Sequence, residues 1–488
     1  MLDWISGALP TAVLVTIEVV LLVVALGVAP PNRRPSSALA WIILIVVLPL
    51  VGLLLFALIG SPKLPKARRD KQRTMNERIE ERARTVEHVT DSHGAPRWLA
   101  PIARLNRELG AMPLIDGNSA QLLPHFDEQL AALIDALDAA ELYVHIEFYI
   151  IALDATTRPF FAAIERARKR GVRVRVLVDH LGSIQYPGFR RARRELTRIG
   201  IEWHLMLPLQ PLQRRYQRPD LRNHRKLMVV DGRVAFVGSM NIIDPSYEKR
   251  GNRRRGLQWR DLMARTEGPI VQEIDAIFVT DWFSETDEIP GSTTVDAAVD
   301  DDDPTTLLAQ ISPSGPAFES ENNLALFNSL IYAAERRISI TSPYFVPDES
   351  LLSSIVTAAR RGVAVELFVG EIGDQFFVFH AQHSYYEELL EAGVRIYEYR
   401  APTILHAKHM SVDDLVSVVG SSNMDIRSFQ LDLELMMLVS GRSFTDQLKA
   451  VEDEYRSKST ELTLAAWKGR NAFHTFVDGI ARLTSAVQ

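Results

Sequence analysis

The chain has 488 residues, enough for roughly two or three domains with buried cores. Its net charge of −6 gives no global basic footprint, which speaks against a nucleic-acid-binding protein. It has no cysteine, which excludes disulfides and thiolate metal sites and leaves the compartment undecided.

Residues 11–29 are apolar apart from Glu18 and two threonines, and residues 38–59 form an apolar run without a charge. As a helix the second run measures about 33 Å, enough for a bilayer core. The first lacks the basic leader and small-x-small site of a signal peptide. Together they predict a transmembrane helical hairpin over 1–62. Glu18 within a span is costly unless paired or wet, so it faces the second helix, a partner subunit or one interface. Arg33 and Arg34 lie in the connector; Lys63, Lys66, Arg68, Arg69, Lys71 and Arg73 follow the second run. That excess puts the C-terminal side in the cytoplasm. The basic segment either lies against anionic headgroups or is a solvated linker. Residues 63–100 read as a basic juxtamembrane connector, helical to about Val89 and broken over 91–96.

A first repeat is expected over 101–295. Its pattern gives a helix over 126–140, a buried strand over 142–150, a helix over 159–170 and a strand over 172–179. A basic helix over 189–199 and a strand over 201–204 follow. The strands 226–230 and 234–237 flank Asp231-Gly232, a hairpin signal. Residues 296–312 are an acidic linker around 300–303, solvated or cation-binding. A second repeat over 313–488 runs in the same order: helix 324–337, strand 338–345, helix 351–361, strand 363–369, helix 385–392, strand 394–397. Tyr149 and Tyr344 fall at matching strand ends, where they either shape a cleft or fill a core. Alternation of strands and helices argues for an α/β sandwich in each half.

Each repeat closes on the pattern HxKxxxxDxxxxxxGSxN. The first copy is His224, Lys226, Asp231, Gly238, Ser239 and Asn241; the second is His406, Lys408, Asp413, Gly420, Ser421 and Asn423. A single HxK on a strand is commonplace, whereas two copies at identical spacing point to one duplicated site. Equivalent halves with pseudo-twofold symmetry bring both histidines to one cleft. Two lysines there attract an anion, with Ser and Asn as neutral donors. Phosphoryl chemistry fits: one imidazole attacks phosphorus and the other protonates the departing alkoxide. A His/Asp metal site is the competing reading, opposed by the paired lysines. Each imidazole needs a carboxylate on its other nitrogen. Glu434 follows His406 and Asp261 follows His224, each in an apolar strand-like context, so these are the expected partners. The alternative is a salt bridge from each to an arginine. The run 249–255, rich in Lys and Arg, either lines the mouth of the site or is a solvated loop.

The paired motifs resemble the phospholipase D superfamily. The hairpin with Arg34-Pro35-Ser36-Ser37-Ala38-Leu39-Ala40-Trp41 resembles the N-terminus of bacterial cardiolipin synthases. So do Arg222-Asn223-His224-Arg225-Lys226 and Gly420-Ser421-Ser422-Asn423-Met424-Asp425-Ile426-Arg427-Ser428. The resemblance covers nearly the whole chain. It implies transfer of a phosphatidyl group from one phosphatidylglycerol to another with release of glycerol, through a phosphatidyl-histidine and with no metal or cofactor. By analogy His224 is the nucleophile and His406 the general acid, with the two roles interchangeable. His224, Lys226, Asp231, His406, Lys408 and Asp413 form the candidate catalytic set, the aspartates being usually structural in the family. Ser239, Asn241, Asp261, Ser421, Asn423 and Glu434 are expected to bind substrate or support. The second motif carries Ala407 where the first has Arg225. The expected partners are phosphatidylglycerol and anionic lipids of a bacterial cell membrane, not nucleic acid; a homo-oligomer is left open. The other readings are a lipid hydrolase, transfer to another alcohol, a tethered nuclease and a non-enzymatic scaffold.

Overall fold

In the computed structural model, the described residues are 35–61, 63–83, 95–210, 217–291 and 306–483, with Val23 and Gly27. Glu18, Arg33, Arg34, the rest of the first apolar run, the break at 91–94 and the acidic run 300–303 lie outside them. The chain divides into two compact units between Leu64 and Pro65.

The smaller unit contains helices Pro35–Val47 and Pro49–Ile59. The unbroken span expected over 38–59 is not formed. Leu48 leaves helical geometry at φ −133°, ψ 73°, because Pro49 has no N–H and its ring clashes with the carbonyl one turn back. The bend brings the Trp41 and Phe56 rings edge to face at 5.3 Å. Gly52 permits it: a Cβ there would stand 2.7 Å from Ile45 Cα. Among the described residues no helix is long and apolar enough to cross a membrane.

Among the described residues the larger unit is built on one mixed sheet of fifteen strands in a single order, with a sixteenth, Arg222–Asn223, paired off it to Asp432–Ser440. At its centre, strands Ile115–Leu123 and Leu307–Ser314 pair antiparallel and form a seam. On one side follow Met263–Glu267, Val234–Gly238, Lys226–Val230, Tyr143–Phe148, Arg173–Asp179 and Glu202–Met206. On the other follow Asp432–Ser440, Val416–Gly420, His409–Val412, Arg337–Thr341, Ala364–Gly370 and Arg395–Tyr399, with Ser459–Leu462 added at the edge. The two orders mirror each other about the seam. Residues 307–312, read as linker from sequence, are therefore a central strand.

Local chemistry explains the elements around the sheet. Helix Pro187–Ile199 starts on a proline, buries Phe189, Ala192 and Leu196 on one stripe, and stops at Gly200 with φ 75°. Tyr143–Phe148 is buried throughout, as a central strand covered on both faces must be. Helices Phe126–Ala139, Arg158–Lys169 and Pro187–Ile199 close the first core. The second core is filled from helices Asn322–Ala333, Glu349–Arg360 and Tyr386–Ala392. Helix Leu99–Gly110, placed at the start of the first repeat from sequence, packs instead into this second core through Leu99, Ile102 and Ala103.

The basic connector also differs from expectation. One face of helix Lys66–Ala83 docks on helix Ile270–Thr286, while Lys66, Arg73 and Arg78 stay exposed. Arg68 pairs with Glu285 at 2.8 Å and Lys71 with Asp287 at 2.7 Å. Lys71 Nζ also donates to the Phe283 and Ser284 carbonyls, which are helix C-terminal acceptors suited to a cation.

Candidate active site

Both motif histidines are set by short parallel strand pairs that cross between the halves. Strand Arg222–Asn223 pairs with the start of Asp432–Ser440, Leu433 opposite Asn223, and His224 N donates to Leu433 O at 2.9 Å. Strand Thr403–Leu405 pairs with Gln258–Arg260, Leu405 opposite Arg260, and His406 N donates to Arg260 O at 2.8 Å. In each pair the next residue on the partner strand is the carboxylate. His224 Nδ1 donates to Glu434 Oε1 at 2.9 Å, and His406 Nδ1 donates to Asp261 Oδ1 at 2.6 Å. The pairing expected from sequence, Glu434 with His406 and Asp261 with His224, is thus exchanged. Each half supplies the carboxylate that orients the other half's imidazole.

The motif serines and glycines serve these carboxylates. Ser239 Oγ donates to Asp261 Oδ1 at 2.7 Å and Ser421 Oγ to Glu434 Oε2 at 2.5 Å. Their backbone N–H groups donate to Leu262 O and Leu435 O, both at 2.9 Å. The preceding glycines make the approach possible. A Cβ on Gly238 would lie 2.3 Å from Leu262 O, and one on Gly420 2.1 Å from Leu435 O. The serine hydroxyls therefore hold carboxylates and do not point donors at an incoming anion.

Lys226 and Lys408 are fully buried, and each ammonium donates to the carbonyl of its own motif histidine, Lys408 at 2.6 Å. Burial pushes Lys226 down to about 8 and Lys408 down to about 7. Burial, helped by the lysines, also lowers both imidazoles, His224 well below its ordinary value. The carboxylates diverge. Burial would raise Asp261, but the charge and hydrogen bond of His406 hold it at about 2. Burial raises Glu434 from its ordinary value. His406 thus faces a firmly ionised partner, which offsets part of the lowering by burial and Lys408. His224 faces a weaker one and is the more easily neutral ring.

Asp231 and Asp413 do not belong with these groups. Each sits in the turn after its motif strand at positive φ, 54° and 56°. Asp231 accepts from the backbone N–H groups of Glu141, Leu142 and Tyr143; Asp413 does the same for Glu335, Arg336 and Arg337. Their place in the catalytic set is corrected accordingly: they tie each hairpin to the start of a neighbouring strand, at the end remote from the histidines.

His224 and His406 line one cleft of about 830 Å³, with Asn241, Asn423, Tyr149 and Tyr344 around them. The Tyr149 ring meets His224 edge-on at 5.0 Å and carries Lys226 Nζ at 5.4 Å from its centre. Tyr344 stands equivalently at 6.4 Å from His406. Asn241 is turned to the scaffold, accepting from Ile150 N and donating to Tyr247 Oη. Arg225 lies outside the cleft, buried and paired with Asp281; Ala407 has no such duty. Lys249 lines the cleft, while helix Arg250–Arg255 behind it buries no side chain. Sequence reasoning missed Tyr247, Trp259, Asp374, Arg427 and Asp432 as lining groups. Only Arg427, within the quoted stretch after Gly420, carried a local signal.

Known proteins resemble this chain in sequence and in fold. A family model described as cardiolipin synthase, PLD-like domain, matches residues 133–282 and 327–454, together more than half of the chain. A model described as phospholipase D-nuclease N-terminal matches residues 15–61. Cardiolipin synthase A of Serratia proteamaculans (strain 568) is 33% identical over 468 residues, covering 93% of each chain. That of Pectobacterium carotovorum subsp. carotovorum (strain PC1) is 32% identical over 464 residues, again 93% of each. The crystal structure of phosphatidylserine synthase from Haemophilus influenzae Rd KW20 aligns with a TM-score of 0.59 at 13% identity. It covers 80% of this chain and 100% of that one, a likeness of fold.

Proposed function

Because this chain belongs to the cardiolipin synthases of the phospholipase D superfamily, we propose that it condenses two phosphatidylglycerol molecules to cardiolipin and glycerol. The observation that carries the mechanism is the shared cleft: two histidines, each pinned at Nδ1, with Nε2 as the remaining ring nitrogen for substrate.

His224, the more easily neutral ring, attacks phosphorus of the first lipid. The bond from phosphorus to the head-group glycerol breaks, and the His406 imidazolium gives its proton to the departing alkoxide. The product is phosphatidyl-His224 and free glycerol. His406, now neutral, takes the proton from the terminal hydroxyl of a second phosphatidylglycerol. That oxygen attacks phosphorus, the P–N bond breaks, and cardiolipin leaves. Lys226 and Lys408, tied to the carbonyls of their own histidines, supply positive charge behind the cleft that favours the nonbridging oxygens. Ser239, Ser421, Asp261 and Glu434 position the rings, and Asn241 and Asn423 shape the walls. The two repeats act as two halves of this one site.

The N-terminal unit supplies attachment to the cell membrane. Its support is the N-terminal family match over residues 15–61 and the exposure of Leu39, Ile43, Val47, Leu50 and Leu54 on its helices. The reading places 1–62 in a bilayer as an apolar hairpin, with the catalytic halves on the cytoplasmic side.

The test is lipid analysis of the full-length protein in phosphatidylglycerol vesicles. Cardiolipin and glycerol in equal amounts, with an acid-labile phosphohistidine mapping to residue 224, are expected. Phosphatidic acid as the main product would mean that water is the acceptor and would sink the transferase reading.

A further inference from the structure

Two adjacent helices at the rim of the cleft carry their apolar side chains outward. Helix Ala472–Leu483 exposes Phe473, Phe476, Ile480 and Leu483. Their spacing of three, four and three puts all of them on one stripe. The opposite side is the buried one and carries Asp478 and Ala481. Helix Phe376–His383, packed against it, exposes Phe376 and Phe377. These side chains are 46–84% exposed, so among the described residues much of their apolar surface has no protein cover. Asp478 pins the helix pair from beneath, accepting from His380 Nδ1 at 2.7 Å and from Arg470 Nη1 at 2.9 Å. His383 stands beside them. Arg470 already balances that carboxylate, which makes the group a clasp and not a cation site.

The patch is continuous with the site. Phe376, Phe377 and Val378 line the cleft that holds His224 and His406. Lys249 also lines it, leading to the exposed basic helix Arg250–Arg255. The mouth therefore has an apolar flank and a cationic flank. A cleft of about 830 Å³ matches a drug-sized ligand, not two lipids with four acyl chains. Head groups enter and tails stay outside, so whatever surrounds the mouth meets the tails.

We propose that the helices Phe376–His383 and Ala472–Leu483 form an interfacial docking face. It inserts its aromatic and aliphatic side chains into an anionic bilayer and seats the mouth of the cleft at head-group depth, with helix Arg250–Arg255 on the phosphates. The proposal rests on the lipid reading of the cleft and adds a second membrane contact, separate from the N-terminal hairpin.

The absence of cysteine allows a clean test in the full-length protein. A polarity-sensitive dye is placed at Phe476→Cys. A control dye is placed at Lys169→Cys, at the exposed C-terminal end of helix Arg158–Lys169, which does not line the cleft. In phosphatidylglycerol vesicles the dye at position 476 should shift to the blue and be quenched by lipids spin-labelled near the top of the acyl chain; the control should do neither. The triple variant Phe473→Ser, Phe476→Ser, Ile480→Ser should lose about tenfold or more in rate on vesicles, yet stay within about twofold on monomeric short-chain phosphatidylglycerol. An unquenched dye on vesicles that still make cardiolipin overturns the docking face and leaves the function intact. Quenching without any cardiolipin supports the face and sinks the reading of the cleft. Cross-linking of two copies through the thiol introduced by Phe476→Cys, without lipid quenching, assigns the patch to a second chain and overturns the proposal.

Discussion

At the scale of single residues, the exchanged carboxylates give the two histidines different chemistry. If His224 attacks and His406 protonates, Glu434→Gln slows formation of the phosphoenzyme, whereas Asp261→Asn slows expulsion of the leaving group. Each should cost about 10²–10⁴ in kcat, the range seen when an imidazole loses its orienting carboxylate. A lipid ester with a p-nitrophenol leaving group needs no acid, so its first-turnover burst of p-nitrophenol should be rescued in Asp261→Asn and not in Glu434→Gln, while later turnovers of Asp261→Asn stay slow because His406 is also the base for the acceptor. The opposite pattern would mean that the roles are reversed. The lysines predict a pH effect on binding. With Lys408 brought down to about 7 and Lys226 to about 8, the empty cleft loses positive charge as pH rises through that window. KM for phosphatidylglycerol should therefore climb from about pH 7 to about pH 8.5. A flat KM would show that a bound anion is not held by these ammonium groups.

At the scale of elements, the serine and glycine of each motif decide how closely two strands meet. Gly420→Ala drives a Cβ into the Leu435 carbonyl, a backbone atom that cannot step aside. A loss of about 2 kcal/mol or more is expected, read as a lowered denaturation midpoint, with activity falling further because Glu434 moves. Asp231→Ala removes the acceptor of three backbone N–H groups at a residue already in left-handed geometry. About 3 kcal/mol of stability should go with it, and Asp231→Asn should recover part. The elements that were legible in the sequence are those with local causes: helices with a buried stripe, such as Pro187–Ile199, and buried runs, such as Tyr143–Phe148. The two seam strands were not legible. Ile115–Leu123 contains Asp, Gly, Asn and Ser, and Leu307–Ser314 contains Pro313; they are strands because each lies between two others. Ten of the twelve candidate residues were visible from the repeat, and Asp261 and Glu434 from their apolar strand-like context. Which carboxylate serves which histidine was not, because that depends on pairing between strands of opposite halves. No spacing along the chain encodes it. The bend at Leu48 was foreshadowed by Pro49, whose cost the run of apolar residues hid.

At the scale of the molecule, one sheet runs through both repeats and both histidines of a cleft come from one chain. Mixing His224→Ala protein with His406→Ala protein should therefore restore no cardiolipin synthesis at any ratio. Each variant alone should lose about a thousandfold in rate while keeping its folded stability. Recovery on mixing would show halves traded between chains.

The exchange of carboxylates also sets a clock on synthesis. Glu434 follows His224 by 210 residues, so a ribosome working at roughly 5–20 residues per second needs about 10–40 s to deliver it. Through that interval the growing chain holds an imidazole with no carboxylate to aim it. Such a nascent chain can already touch lipid but cannot yet cut a phosphodiester. The reagent is armed only when its maker has nearly finished.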